Sequence, residues 1–262
     1  MSLARSEAQP SGVELMRTPP VATVWLNRPE RRNALDGTTL REIAEVFEAL
    51  ATDFEIRVVV LGGRGPSFCA GADRRDPPGT PRDGAGVRER RHASQIGLRA
   101  VQAIEACEAV TIARVHGHAI GGGLVLALAC DLRVAARGAL LQIPEVDLGI
   151  PLSWGAVPRL IAEVGALRAR ELVLLCERFD AERGEALGLL NRVVAAEELD
   201  ATVAALAAQL AAKPEAAVHM TKSQFRAYAA CVPLGDFTQA DGDLLREAAR
   251  GGVARASFRR EG

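Results

Sequence analysis

Apolar positions along the chain change period several times, and each change marks an element. Residues 13–16 and 21–26 are short apolar runs on either side of Arg17-Thr18-Pro19-Pro20, the pattern of two strands joined by a turn. Asn27-Arg28-Pro29-Glu30 interrupts that pattern. Asp36 then stands where a helix cap belongs, and Leu40, Ile43, Ala44, Phe47 and Leu50 follow at helical spacing. Residues 56–61 form a continuous valine-rich run, which predicts a strand covered on both faces. Gly62-Gly63-Arg64-Gly65-Pro66 predicts a turn. A Pro-, Gly- and Arg-rich stretch over 74–91 predicts a mobile loop leading into a helix that ends near Cys107. Strands are expected at 110–115, 132–135 and 140–143, followed by an irregular, apolar-lined loop over 144–151. From Trp154 onward the pattern is helical over roughly 155–163, 166–175, 180–187, 196–212, 214–230 and 237–250, with one strand near 191–194. The alanine-rich stretch 201–212 fits either the core or an oligomer contact. Strand-strand-helix units ahead of a helical tail predict an α/β core with a helical C-terminal region.

One stretch departs from ordinary patterning. His116-Gly117-His118-Ala119-Ile120-Gly121-Gly122-Gly123 precedes Leu124 to Cys130, a run apolar all round that suits a short helix buried on every side. Three glycines are a poor helix start, costing about 1 kcal/mol each against alanine. They also leave the first-turn N–H groups bare at the positive end of the helix dipole, a place for an anion or a developing oxyanion. The alternative is that the glycines serve close packing only.

Composition narrows the field. The chain has 262 residues, 48% hydrophobic and 25% charged, with a formal net charge of −1 and 4% aromatic residues. Those values belong to a globular chain and argue against nucleic-acid binding, which calls for basic excess and stacking aromatics. Five scattered cysteines without CxxC spacing, and His116 and His118 only two residues apart, speak against a disulfide framework and against a metal site. No apolar run approaches about 18 residues and the first residues are polar, so neither a membrane span nor a signal peptide is expected, and the protein reads as cytoplasmic.

Known glycine motifs fail on the residues. A Walker A loop needs Lys-Ser/Thr after the glycines, where Leu124 stands; a dinucleotide fingerprint needs a glycine at Leu126; no GxSxG elbow exists. An oxyanion hole without a covalent nucleophile remains, one N–H coming from the glycine helix and another from the small-residue turn at 70–72. Four motifs then fall in order: Leu26-Asn27-Arg28-Pro29-Glu30 with Asn33-Ala34-Leu35; Phe68-Cys69-Ala70-Gly71-Ala72-Asp73; Gly117 to Gly123 with Cys130-Asp131; and Pro144-Glu145 with Leu148-Gly149. Together they resemble the crotonase superfamily, the enoyl-CoA hydratase/isomerase family, over about residues 12–195.

The resemblance implies a spiral of ββα units (residues 12–195) after a disordered tail (1–11), with a helical region (196–262) that serves oligomerisation and the acyl pocket. It implies an acyl-CoA substrate, no cofactor apart from the coenzyme A of the substrate, and a homotrimer or dimer of trimers. By motif position the oxyanion donors would be the N–H groups of Ala72 and Gly122, while Arg28, Ala70 and Asp73 would meet CoA. Hydratases of the family use two glutamates; the Pro-Glu position is Glu145, but the position two residues past the triplet is Val125, which can neither donate nor accept a proton. One carboxylate suffices for a proton shuttle, so the pattern resembles single-glutamate isomerases, with an atypical hydratase and a non-catalytic acyl-CoA binder as alternatives. The position that carries a second carboxylate in other branches is Ser153, expected to line the acyl pocket with Val125 and Trp154 or to cap the next helix. In its apolar loop, Glu145 is expected to have a raised pKa. His116 and His118 are expected as hydrogen-bonded turn residues, Asp73 as a turn-ordering residue, Cys69 as packing, and Asp147 as solvent- or cap-directed, with a second-acid role as the alternative.

Overall fold

The structure, a computed structural model, describes residues 11–231 and 238–250. The expected tail lies outside them except for Ser11, whose hydroxyl donates to the Val13 carbonyl at 2.6 Å. Six strands form one sheet: β1 (Val13–Thr18), β2 (Val21–Leu26), β3 (Val58–Gly63), β4 (Val110–Val115), β6 (Leu132–Ala136) and β9 (Arg192–Val194), in the order β1-β2-β3-β4-β6-β9. The β1–β2 hairpin is antiparallel and every other neighbour is parallel. A second, smaller sheet joins β5 (His118–Ile120), β7 (Leu140–Gln142) and β8 (Phe179–Asp180). This arrangement is the expected α/β core with its helical C-terminal region.

Both faces of the large sheet are covered, which is why β3 carries no polar side chain. All six residues of β3 are buried. One face packs on α1 (Gly37–Leu50), α3 (Ile96–Ala106) and α4 (Gly122–Leu128) through Leu40, Phe47, Leu61, Ile104 and Leu126. The other face packs Val58, Val60, Ile112 and Val134 against α7 (Leu199–Ala211). Leu199, Val203, Leu206, Ala207 and Ala211 point inward there at helical spacing, so one face of the alanine-rich stretch is core, while Ala204, Ala205 and Ala208 are exposed on the other. Asp36 caps α1 as expected, accepting from the Thr39 N–H at 2.7 Å.

Some boundaries differ from the pattern. The helix expected up to Cys107 begins earlier and is two helices, α2 (Val87–Ser94) and α3, broken at Gln95. Segments 155–163 and 166–175 lie in one element, α5 (Ala156–Leu175), interrupted where Gly165 takes φ 75°. Further on, α6 (Ala181–Ala186), α8 (Glu215–Cys231) and α9 (Thr238–Arg250) complete the helical region. The buried Lys222 fastens α8 to the sheet: its ammonium donates to the Ala109 carbonyl (2.8 Å) and pairs with Asp131 (2.6 Å), which also accepts from Thr111.

The loop after β2 is held by a single amide. Asn33 is buried in a left-handed conformation, φ 57°. Its Nδ2 donates to the carbonyls of Arg64 (2.9 Å) and Ser67 (2.8 Å), and its Oδ1 accepts from the Arg28 N–H (2.8 Å). Asn33→Ala strands three backbone groups, each costing about 1–3 kcal/mol when buried without a partner. The substitution is therefore expected to lower unfolding free energy in urea by more than about 2 kcal/mol; a change below 0.5 kcal/mol, as an order-of-magnitude threshold, would show that these groups find water instead.

Candidate active site

Two backbone segments come together without side chains between them. The Ile120 N–H donates to the Cys69 carbonyl (3.1 Å) and the Cys69 N–H to the His118 carbonyl (2.8 Å). A Cβ on Gly71 would sit 2.7 Å from the Ile120 carbonyl oxygen and 3.9 Å from the Gly122 nitrogen. One on Gly123 would lie 2.6 Å from the Cys69 carbonyl oxygen. The glycines thus serve close packing, and that packing brings the N-terminus of α4 beside the 70–72 turn. No acceptor among the described residues takes the N–H of Ala72 or of Gly122.

Glu145 stands at this junction. The Pro144–Ile150 turn closes on itself, the N–H groups of Leu148 and Ile150 donating to the Glu145 carbonyl at 3.1 and 3.0 Å. The residue as a whole is half-buried, but its Oε2 is sealed from solvent and has no hydrogen-bond partner among the described residues. Its Oε1 lies 2.6 Å from where a Cβ on Gly121 would stand, so Gly121, at φ 49°, makes room for the carboxylate. Burial pushes the carboxyl up to about 7, against a smaller opposing effect of its own N–H. Nearby arginines are engaged elsewhere, Arg133 with Glu163 and Arg137 with Glu182. Asp147 is exposed, on the solvent side of the same turn.

The remaining candidates divide into two groups. Val125 is buried within α4, and Trp154 is buried with its ring against Gly122, where a Cβ would meet Cη2 at 2.6 Å. Ser153 does not cap α5 with its side chain: the N-cap is Gly155, and it is the Ser153 backbone carbonyl that accepts from Ala156. Arg28 and Asp73 bond to each other at 2.9 Å, and Arg28 also reaches Asp36 and the Ala34 carbonyl. Burial opposes the charge of Asp73, but the Arg75 N–H and the Arg28 and Arg31 guanidiniums outweigh it and hold its carboxyl below the usual range. Asp73 also orders its turn through that Arg75 bond (3.0 Å). The Ala70 N–H donates to the Arg32 carbonyl.

Both histidines are hydrogen-bonded, His116 to the Gly65 carbonyl (2.8 Å) and His118 to the Ser67 hydroxyl (2.9 Å), but His118 is the first residue of strand β5 and not part of the turn. Cys69 is fully buried, its thiol pushed up to about 12 by that burial. Among the described residues no group of three or more His, Cys, Asp or Glu side chains could hold a metal ion.

Comparison with known proteins supplies the family. The Enoyl-CoA hydratase/isomerase family model matches residues 17–251. The chain belongs to the enoyl-CoA hydratase/isomerase family. It is 35% identical over 204 residues to the crotonyl-CoA hydratase of Syntrophomonas wolfei subsp. wolfei, covering 78% of this chain and 76% of that one. It is 36% identical over 211 residues to the mitochondrial Delta(3,5)-Delta(2,4)-dienoyl-CoA isomerase of Homo sapiens, covering 77% and 64%. An enoyl-CoA hydratase structure from Mycobacterium avium subsp. paratuberculosis K-10 superposes with a TM-score of 0.86 at 29% identity, covering 96% of this chain and 99% of that one. A protein from Thermobifida fusca YX, solved with acetoacetyl-CoA, superposes at 0.76 with 34% identity, covering 94% and 95%.

As an enoyl-CoA hydratase/isomerase family member, the chain is an acyl-CoA enzyme of the crotonase fold. Two residues that shape the site had escaped notice in the sequence. Asn33 was legible as part of a motif but not as the clamp on the turn before Phe68. Gly97, inside α3, carries no local signal at all, yet a Cβ there would collide with the Trp154 ring. A glycine at that point of a helix costs about 1 kcal/mol against alanine, and only a tertiary contact explains it.

The perturbed carboxyl makes a stability prediction with a definite sign. A folded-state pKa near 7 against about 4.5 unfolded means that the native state holds a proton the unfolded chain has lost. Stability is therefore undiminished below about pH 4.5 and falls as pH rises to about 7. Glu145→Gln removes the loss, and is expected to be more stable than the wild type by about 3 kcal/mol at pH 8, with the advantage fading toward pH 4.5. Urea titrations across that range check it; equal stability at pH 8 would mean that the carboxylate is solvated.

Proposed function

We propose that this enzyme moves a carbon–carbon double bond in an acyl-CoA, converting a 3-enoyl thioester to the 2-enoyl isomer, with Glu145 as its one acid/base. The observation that carries the reading is the buried, unpartnered Glu145 carboxylate at Gly121, combined with Val125 where a second glutamate would stand. The ionised carboxylate takes a proton from C2, and the C–H electron pair moves into the thioester carbonyl. The resulting oxyanion is received by the N–H groups of Ala72 and Gly122, a charge-stabilising arrangement that needs no reorganisation at the moment of reaction. Protonated Glu145 returns the proton at C4, the double bond settles between C2 and C3, and the carboxylate is regenerated. A pKa near neutrality suits both halves of the task, since the group must accept and then release one proton.

CoA enters as part of the substrate, so no separate cofactor is required. We assign its adenine end to the 70–73 turn, where the Arg28–Asp73 pair fixes the backbone shape and Ala70 is partly exposed. Self-association as a homotrimer or a dimer of trimers is supported by the exposed Met220, Phe225 and Tyr228 on α8. Among the described residues no helix is long and apolar enough to cross a membrane.

Hydration is the second reading, favoured by relatives named as hydratases. It requires a water activated by a second group, and Val125 and the outward-facing Asp147 weigh against it. A pure binder would gain nothing from burying an unpaired carboxylate.

The deciding assay supplies 3-hexenoyl-CoA and crotonyl-CoA separately. Isomerisation of the first is expected, with Glu145→Gln lowering kcat by about 10²–10⁴-fold. Because the base must be ionised, kcat/KM is expected to fall about tenfold per pH unit below about 7 and to level off above it. Hydration of crotonyl-CoA faster than isomerisation, or full activity in Glu145→Gln, would overturn the proposal.

A further inference from the structure

The indole of Trp154 is buried beside the Gly121–Gly122 corner, pressed against the backbone at two glycines. Its ring fills the space in which Gly97 of α3 and Gly122 of α4 would each carry a Cβ, so it is held between two helix backbones. Trp154 itself takes φ 59° and Gly155 φ 68°, two successive left-handed residues. Such a conformation in a bulky residue persists only where its surroundings over-determine it. Those surroundings are visible. Arg159 donates to the Trp154 carbonyl at 3.0 Å and to the Gly155 carbonyl at 2.6 Å, and is itself paired with Glu105 of α3. From α9, Asp241 accepts the Gly155 N–H at 2.7 Å, and Gly242 fits closely against Ser94.

We propose that Trp154, seated on Gly97 and Gly122, is the specificity-determining wall that restricts this enzyme to short acyl chains. The inference rests on the acyl-CoA reading of the site. With a thioester oxygen on the Gly122 N–H and C2 and C4 within reach of Glu145, the reacting carbons occupy the corner made by Gly121 and Gly122. Chain beyond C4 must leave that corner. On one side stands the Glu145 turn, and on the other the indole plate. A side chain held only by apolar neighbours could swing aside for a longer tail. This one cannot turn without driving into the backbone of α3 or α4, and its main chain is tied to α5 and α9. The glycine at 97 is the matching half of the device: any larger residue there would dislodge the ring.

Two measurements test this. The first needs no turnover: calorimetric binding of free CoA, butanoyl-CoA and dodecanoyl-CoA to the full-length wild type. Butanoyl-CoA is expected to bind at least as tightly as dodecanoyl-CoA, although added methylenes alone would favour the longer chain. Tighter binding of dodecanoyl-CoA overturns the wall while leaving the acyl-CoA reading intact; failure of all three to bind overturns that reading. The second compares kcat/KM for 3-hexenoyl-CoA and 3-dodecenoyl-CoA. Trp154→Ala, or Trp154→Leu if the alanine variant does not fold, is expected to shift the ratio toward the long substrate by about tenfold or more. Both substrates falling by the same factor in a folded variant would assign Trp154 a structural role and overturn the proposal.

Discussion

The site depends on one contact, the approach of the 69–72 backbone to the 120–123 backbone at a distance no side chain permits. Cys69 bonds to both His118 and Ile120, and a Cβ on either Gly71 or Gly123 would strike a carbonyl oxygen across the gap. Each glycine in a helix start costs about 1 kcal/mol. The helix that follows offsets this by burying Leu124, Val125, Leu126 and Leu128, at about 1.5–3 kcal/mol per large side chain. Burial outweighs propensity, which is how three glycines come to begin a helix. The same packing leaves the N–H groups of Ala72 and Gly122 with no acceptor among the described residues.

A second consequence concerns charge. Because the segments on both sides of the gap present backbone rather than side chains, Glu145 meets no cation there, and its Oε2 is buried without a partner among the described residues. That arrangement weakens the fold above neutral pH and gives the group a pKa near 7 in place of about 4.5. Nearby polar groups are handled in the opposite way. Arg28, Asp36 and Asp73 form a closed set of pairs, and Asn33 satisfies three backbone groups at once. These neighbouring polar groups are bonded, and Glu145 Oε2 is not.

Much of this was legible in the sequence because the decisive features are local. The Asp36 cap, the 3.6-residue spacing of α1, the two-sided apolar run of β3, and the glycine triplet each follow from neighbouring residues. What escaped was either too short or too distant. Strands β5 and β8 are three and two residues long and have no periodicity to read. Ser153 fits a capping pattern, but the left-handed turn at Trp154 and Gly155 shifts the helix start past its reach. The seating of Trp154 joins residues from α3, α4, α5 and α9, and no window of sequence contains them. Glu145 was readable by motif. Its lack of a partner depends on where Arg133 and Arg137 turn, and only the fold determines that.

The central claim is that one sealed carboxylate carries one proton between two carbons of the same substrate. It is tested most directly with 3-hexenoyl-CoA deuterated at C2, turned over in ordinary water, with the product analysed by mass spectrometry and NMR. Because Glu145 Oε2 is closed to solvent, deuterium taken from C2 is predicted to appear at C4 of the 2-enoyl product in a substantial fraction of turnovers. Complete loss of the label to water, or a hydroxylated product in its place, would contradict the account.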